Sequence, residues 1–91
     1  MIVQLQERCG DLMQLNEAVS ARLKELLEER DMTQYQLYMK SGVPKSSIGN
    51  IVNCAYDSVE LRLIHEICQD LNINTSDFFN SHFFDETNLE L

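Results

Sequence analysis

Between Thr33 and Asn53 the chain carries signals to start a helix, end it and start another, with almost no residues to spare. Thr33-Gln34-Tyr35-Gln36 has the form of a capping box. The Thr33 hydroxyl can accept the third backbone N–H, and the Gln36 side chain can reach back to the N–H of Thr33. Met32 before the cap and Leu37 after it have the spacing of a hydrophobic staple. Gly42 supplies the left-handed conformation that other residues avoid, which ends the helix. Pro44 then reopens helical backbone, because its missing N–H would find no intrahelical acceptor in a first turn. One helix is therefore expected over 34–41 and the next over 45–53. In the latter, Ile48, Ile51 and Val52 share one face, and Lys45, Ser46, Gly49, Asn50 and Asn53 share the other. Gly49 costs about 1 kcal/mol of helix propensity relative to alanine at an exposed position. A bare, small-residue face therefore needs a reason other than local stability.

The flanks read as helices too. Asn16 is placed to cap a helix over 16–30, whose apolar positions are Val19, Leu23, Leu26 and Leu27. Arg22, Lys24, Glu25, Glu28 and Glu29 fill its other, solvated face. Leu61, Ile64, Ile67, Cys68 and Leu71 form the stripe of a helix over 61–71, which Asn72 can end in the left-handed conformation. Asn74-Thr75-Ser76-Asp77 opens a short helix over 75–80, whose Phe78 and Phe79 close the core. A sandwich or barrel needs a turn every ten residues or so, and one proline with three glycines in 91 residues cannot supply them. The expected fold is all-α: one compact domain of five helices. Its core is expected to gather Leu26, Leu27, Leu37, Val43, Ile48, Ile51, Leu61, Ile64, Ile67, Leu71 and Phe78.

Charge narrows the function. The formal net charge is −8, distributed unevenly. Residues 1–32 carry 4 basic and 7 acidic side chains, and residues 58–91 set Arg62 against seven acids. Residues 33–57 carry Lys40 and Lys45 against Asp57, so only this stretch would not repel a polyanion. Glycines are too few for a phosphate cradle, and the two histidines have no nucleophile or orienting acid at useful spacing, so no enzymatic activity is expected. His65 and Cys68, one turn apart, form half of a metal-ligand pattern with no second pair to complete it. Neither metal nor other cofactor is expected. Cys9, Cys54 and Cys68 include no C-x-x-C pair and read as reduced thiols of a cytoplasmic protein. No apolar run reaches the length of about 18 that a membrane span needs, and Met1-Ile2-Val3-Gln4 lacks the basic start of a signal peptide.

Two short helices joined by a glycine-centred turn make a helix-turn-helix unit. Around it stand Arg22-Leu23-Lys24-Glu25-Leu26-Leu27, Met32-Thr33-Gln34, Ser41-Gly42-Val43-Pro44, Ser47-Ile48 and Asn72-Ile73 followed by Asp77-Phe78-Phe79. With these residues the chain resembles the lambda-repressor/Cro (XRE-type) helix-turn-helix family over about residues 15–80. The resemblance implies a compact five-helix domain that binds double-stranded DNA at an operator as a homodimer and regulates transcription. Its third helix would be the recognition helix in the major groove.

Matched position by position, Gln34 falls where the family touches phosphate and supports a base contact. Lys45, Ser46 and Asn50 fall where base edges are read, and Ser47 and Asn53 fall near the backbone. The residue types suit those jobs: Lys donates to guanine O6/N7, Asn pairs bidentately with adenine, and Ser reaches either a base or a phosphate oxygen. Gly49 and Asn50 replace an arginine often found in the family, Tyr38 replaces a favoured alanine, and Glu60 stands where a Ser or Thr usually caps the fourth helix. A second possibility is a protein-interaction module on the same fold, such as an antitoxin-like component with a protein partner.

Residues 1–14 are read as an N-terminal extension, in which Leu5, Cys9 and Leu12 have the spacing of an amphipathic turn suited to a dimer contact. Residues 81–91 are read as an acidic C-terminal tail. Its Phe83-Phe84 is suited either to a partner or to docking on the core.

Overall fold

The structure is a computed structural model that describes residues 12–90. Leu5 and Cys9 lie outside them. Five helices follow in order: α1 (Leu15–Glu29), α2 (Gln34–Ser41), α3 (Lys45–Val52), α4 (Leu61–Leu71) and α5 (Thr75–Phe79). Two 3₁₀ turns, His82–Phe84 and Glu86–Asn88, complete the described chain. The fold is all-α, and its sole extended pairing among the described residues is an isolated bridge between Met13 and Leu89.

The local signals act as their chemistry requires. Thr33 Oγ1 accepts the Gln36 N–H at 3.0 Å, and the Thr33 N–H donates to Gln36 Oε1 at 2.8 Å, closing the capping box of α2. Gly42 ends α2 at φ 76°, a left-handed value at which a side chain would be strained. Pro44 is the residue immediately before α3. Asn72, at φ 59°, ends α4, and the next residue, Ile73, donates its N–H back to the Cys68 carbonyl at 3.0 Å. Glu60 occupies the cap position of α4 without a capping side-chain bond.

α1 begins differently from the expectation. Its cap is Gln14, whose N–H donates to Glu17 Oε1 at 2.8 Å. Asn16 instead lies buried inside the first turn, where its Nδ2 donates to the Tyr56 carbonyl at 3.0 Å. A partner forty residues away thus takes the side chain that a local cap would have used.

Phe78, Leu23, Leu37, Ile48, Ile64, Ile67 and Cys68 are the largest fully buried side chains. Of the expected core, only Leu61 is elsewhere: it is 71% exposed. As the first residue of α4 it precedes the turn that meets the core. The stripe starts in earnest at Ile64, with Val59 and Leu63 packed partly against it.

Two polar ties fix α1 to later elements. Ser20 Oγ donates to the Val52 carbonyl at 2.7 Å, pinning the last turn of α3. Arg22, expected on the solvated face, donates from Nε to the Phe78 carbonyl and from Nη2 to the Asp77 carbonyl, each at 2.8 Å. Glu25 accepts from its Nη1 at 2.6 Å. The guanidinium thereby supplies a donor to the Phe78 carbonyl and a second one to the Asp77 carbonyl, which also accepts the Asn80 N–H at 3.2 Å.

Residues after α5 return to the body of the fold. The Phe84 ring meets Phe79 edge-on at 5.0 Å between centroids and lies 6.2 Å from Phe78. Met13 N–H donates to the Asn88 carbonyl and Glu90 N–H to the Met13 carbonyl, at 2.8 and 2.9 Å. Among the described residues, no helix is long and apolar enough to cross a membrane.

Candidate nucleic-acid interface

Burial of one face of α3 determines what the other can do. Ile48, Ile51 and Val52 are sealed in the core with Leu37 of α2 and Val43 of the turn, which holds α3 rigidly against α2. The residues singled out in the sequence then divide into two groups. Gln34, Lys45, Ser46 and Asn53 are exposed, and so are free to meet a ligand. Ser47 and Asn50 are half-buried and border a hollow between α3, the loop that follows it and the start of α4. Gly49 lies between the groups. A Cβ built there would find no atom within 4 Å, so the glycine is not required by packing.

The N-termini of α2 and α3 come together at this face. Lys45 Nζ stands 6.0 Å from the centroid of the Tyr35 ring, at the outer reach of a cation–π contact. Tyr35 is itself 57% exposed and lies 6.0 Å from Tyr38. Lys40, in the last turn of α2, is exposed as well. Sequence reasoning did not single out Tyr35 or the exposed Tyr56 of the following loop. The signal available was an aromatic side chain at a position where the helix pattern calls for solvent.

The electrostatics are mixed. Lys40 and Lys45 supply cations beside α3, and Lys24 is exposed on α1. Arg22 is withdrawn from any such role by its bonds to α5. Glu60 lines the same hollow as Ser47 and Asn50 and opposes a polyanion there. Chemically, the exposed part of the face offers an ammonium, hydroxyl and carboxamide groups on a rigid helix. Those are donors and acceptors suited to base edges and phosphate oxygens.

His65 and Cys68 are engaged structurally. His65 Nδ1 lies 3.4 Å from Thr75 Oγ1, and Cys68 is buried. Burial pushes the Cys68 thiol pKa up, with a hydrogen bond from Thr75 opposing the shift. No group of three or more His, Cys, Asp or Glu side chains placed to hold a metal ion occurs among the described residues.

The Cro/C1-type HTH DNA-binding domain family matches residues 22–81, a span that runs from the middle of α1 to just past α5. Among solved structures, the crystal structure of the prophage Lp1 protein 11 aligns with a TM-score of 0.72 at 24% identity, covering 81% of this chain and 99% of that one. At that identity the likeness is one of fold. No curated protein matches the sequence.

Proposed function

The chain belongs to the Cro/C1-type helix-turn-helix family of DNA-binding domains, and from that premise we propose that it is a sequence-specific transcriptional regulator acting as a homodimer, with α3 of each protomer in the major groove of an operator. The observation that carries this is the division of α3: a back sealed by Ile48, Ile51 and Val52, and a front on which Lys45, Ser46 and Asn53 are exposed and Gly49 leaves room for a Cβ.

In this reading Lys45, Ser46 and Asn50 address base edges. Gln34, at the start of α2, binds phosphate and supports a base contact, and Ser47 and Asn53 reach the backbone. The bare Gly49 lets α3 approach the floor of the groove. Two recognition helices about 34 Å apart then read a two-fold symmetric site. Support for pairing comes from Leu12, Leu15 and Leu61, which are 51%, 57% and 71% exposed. Leu15 and Leu61 border a common groove with Val59 and Phe79, an apolar surface of the kind that association buries. The same surface favours the second reading, a module whose main partner is another protein.

Selection of binding sites from random duplex DNA at low salt tests the proposal. The expected result is enrichment of a symmetric site whose half-sites lie one helical turn apart. Failure to retain any duplex would replace the DNA reading with the protein-partner one.

A further inference from the structure

A row of three side chains, Tyr38, Tyr35 and Lys45, runs from the core to the first residue of α3. Tyr38 is half-buried and packs against the buried cluster. Tyr35, three residues earlier on the same helix face, is exposed and stands outside that cluster. The two rings are 6.0 Å apart between centroids and tilted by 53°, within the range of an aromatic pair. The Lys45 ammonium lies over the Tyr35 ring, 6.0 Å from its centroid. Lys45 forms no ion pair among the described residues, so the ring is the partner that its charge has there. Leu37 and Ile48, both sealed in the core, fix α2 against α3 and so set the distance that the row spans.

A free lysine stem samples many rotamers, and a base contact has to freeze them on binding. A ring that already attracts the ammonium removes part of that cost and narrows the directions in which the charge points. We propose that Tyr35 is a positioning residue for base readout: its ring, backed by Tyr38, holds the Lys45 ammonium at the front of α3 where it meets a base edge. The inference rests on the DNA reading above and deepens it. Tyr35 acts through Lys45 and not through its own hydroxyl, so selectivity at the base pair that Lys45 addresses depends on α2 as well as on α3.

The test compares Tyr35→Phe, which keeps the ring, with Tyr35→Leu, which removes it and puts a better helix former in its place. Neither touches the buried cluster, so both are expected to melt as the parent does. In the full chain without DNA, NMR is expected to find the Lys45 side-chain methylene protons upfield of those of the exposed Lys24. Tyr35→Phe should keep that displacement and Tyr35→Leu should abolish it. On an operator selected with the parent, Tyr35→Leu is expected to weaken binding by about two- to fivefold per protomer, the worth of an exposed cation–π contact. Its salt slope should be unchanged, since no charge is lost, and a repeated selection should relax one base pair of each half-site. Tyr35→Phe should bind as the parent does, and Tyr35→Leu should cost nothing further once Lys45→Ala is in place. A parent that retains no duplex overturns the DNA reading and this role with it. With the parent bound to its operator, the inference alone is overturned by a Tyr35→Leu protein that binds equally well, or by Lys45 shifts that Tyr35→Leu leaves in place. A Tyr35→Phe loss as large as that of Tyr35→Leu overturns it too, because the hydroxyl would then be the contact. So does a Tyr35→Leu loss that persists without Lys45.

Discussion

Lys45 and Asn50 reach the front of α3 from different surroundings, and their removal should have different consequences. Lys45 is exposed, with its ammonium 6.0 Å from the Tyr35 ring, while Asn50 is half-buried beside the hollow. In the proposed complex, Lys45→Ala should weaken duplex binding and lower the salt slope by about one per protomer, because the interface loses one positive charge. Asn50→Ala should cost about 1–3 kcal/mol on the selected site with little change in slope. Equal losses for Asn50→Ala on operator and random duplex would remove base readout from that residue. Gly49 permits a sharper separation of stability from binding. Nothing lies within 4 Å of a Cβ placed there, so Gly49→Ala should stabilise the helix by about 0.5–1 kcal/mol. The same methyl should reduce operator affinity if the bare backbone is there for close approach. A protein that melts higher and binds DNA as well as the parent would leave Gly49 without that role.

Among the elements, what the sequence shows depends on how far away each residue finds its partner. The start and stop of α2 are written within a few residues, in the reciprocal Thr33–Gln36 bonds and in Gly42, and these were readable in advance. The buried face of α3, and that of α4 from Ile64 onward, follow from helical period alone. Asn16 and Arg22 were misread because local pattern cannot see a tertiary partner, and Leu61 because helical period does not tell where along the helix contact with the core begins. Asn16 bonds Tyr56 across forty residues, Arg22 bonds Phe78 across 56, and Leu61 falls just outside the stripe that its spacing suggested. The resemblance to the family implied DNA-contacting roles for Gln34 at the start of α2, for Lys45, Ser46, Ser47 and Asn50 of α3, and for Asn53 at its end. The hollow that half-buries Ser47 and Asn50 depends on how the loop after α3 folds, which spacing does not encode. Arg22 supplies the test at this scale. Arg22→Ala removes the donor to the Phe78 carbonyl, leaves the Asp77 carbonyl with only the Asn80 N–H, and should destabilise by about 1.5–3 kcal/mol, read from chemical denaturation. Operator affinity of the folded variant should be unchanged. A loss of DNA binding with no loss of stability would instead assign Arg22 a contact with DNA. In the interior, Ile48→Ala, at a residue 1% exposed, should cost about 2–5 kcal/mol. Wild-type thermal stability in that variant would mean the α3 faces are wrongly assigned.

For the molecule as a whole, a chain of net charge −8 faces a polyanion with few cations to spare. Arg22 is spent on α5, and Glu60 stands beside the hollow next to α3, so a single protomer can neutralise few phosphates. In the proposed homodimer, affinity would come from pairing, since two linked recognition helices gain by effective concentration what each lacks in charge. Leu15 and Leu61 offer the surface on which pairing can be probed without disturbing the core, because both side chains are more than half exposed and the buried cluster does not include them. Leu15→Glu with Leu61→Glu should leave helix content and melting of the protomer nearly unchanged, but shift sedimentation from dimer to monomer. Operator affinity should fall together with the loss of dimer, and the shallow salt dependence of a single protomer should remain. Sedimentation and a salt titration on the selected operator measure both. A doubly substituted protein that still sediments as a dimer would move the interface off this surface, whereas one that is monomeric yet binds the operator undiminished would show that affinity resides in the single α3 after all.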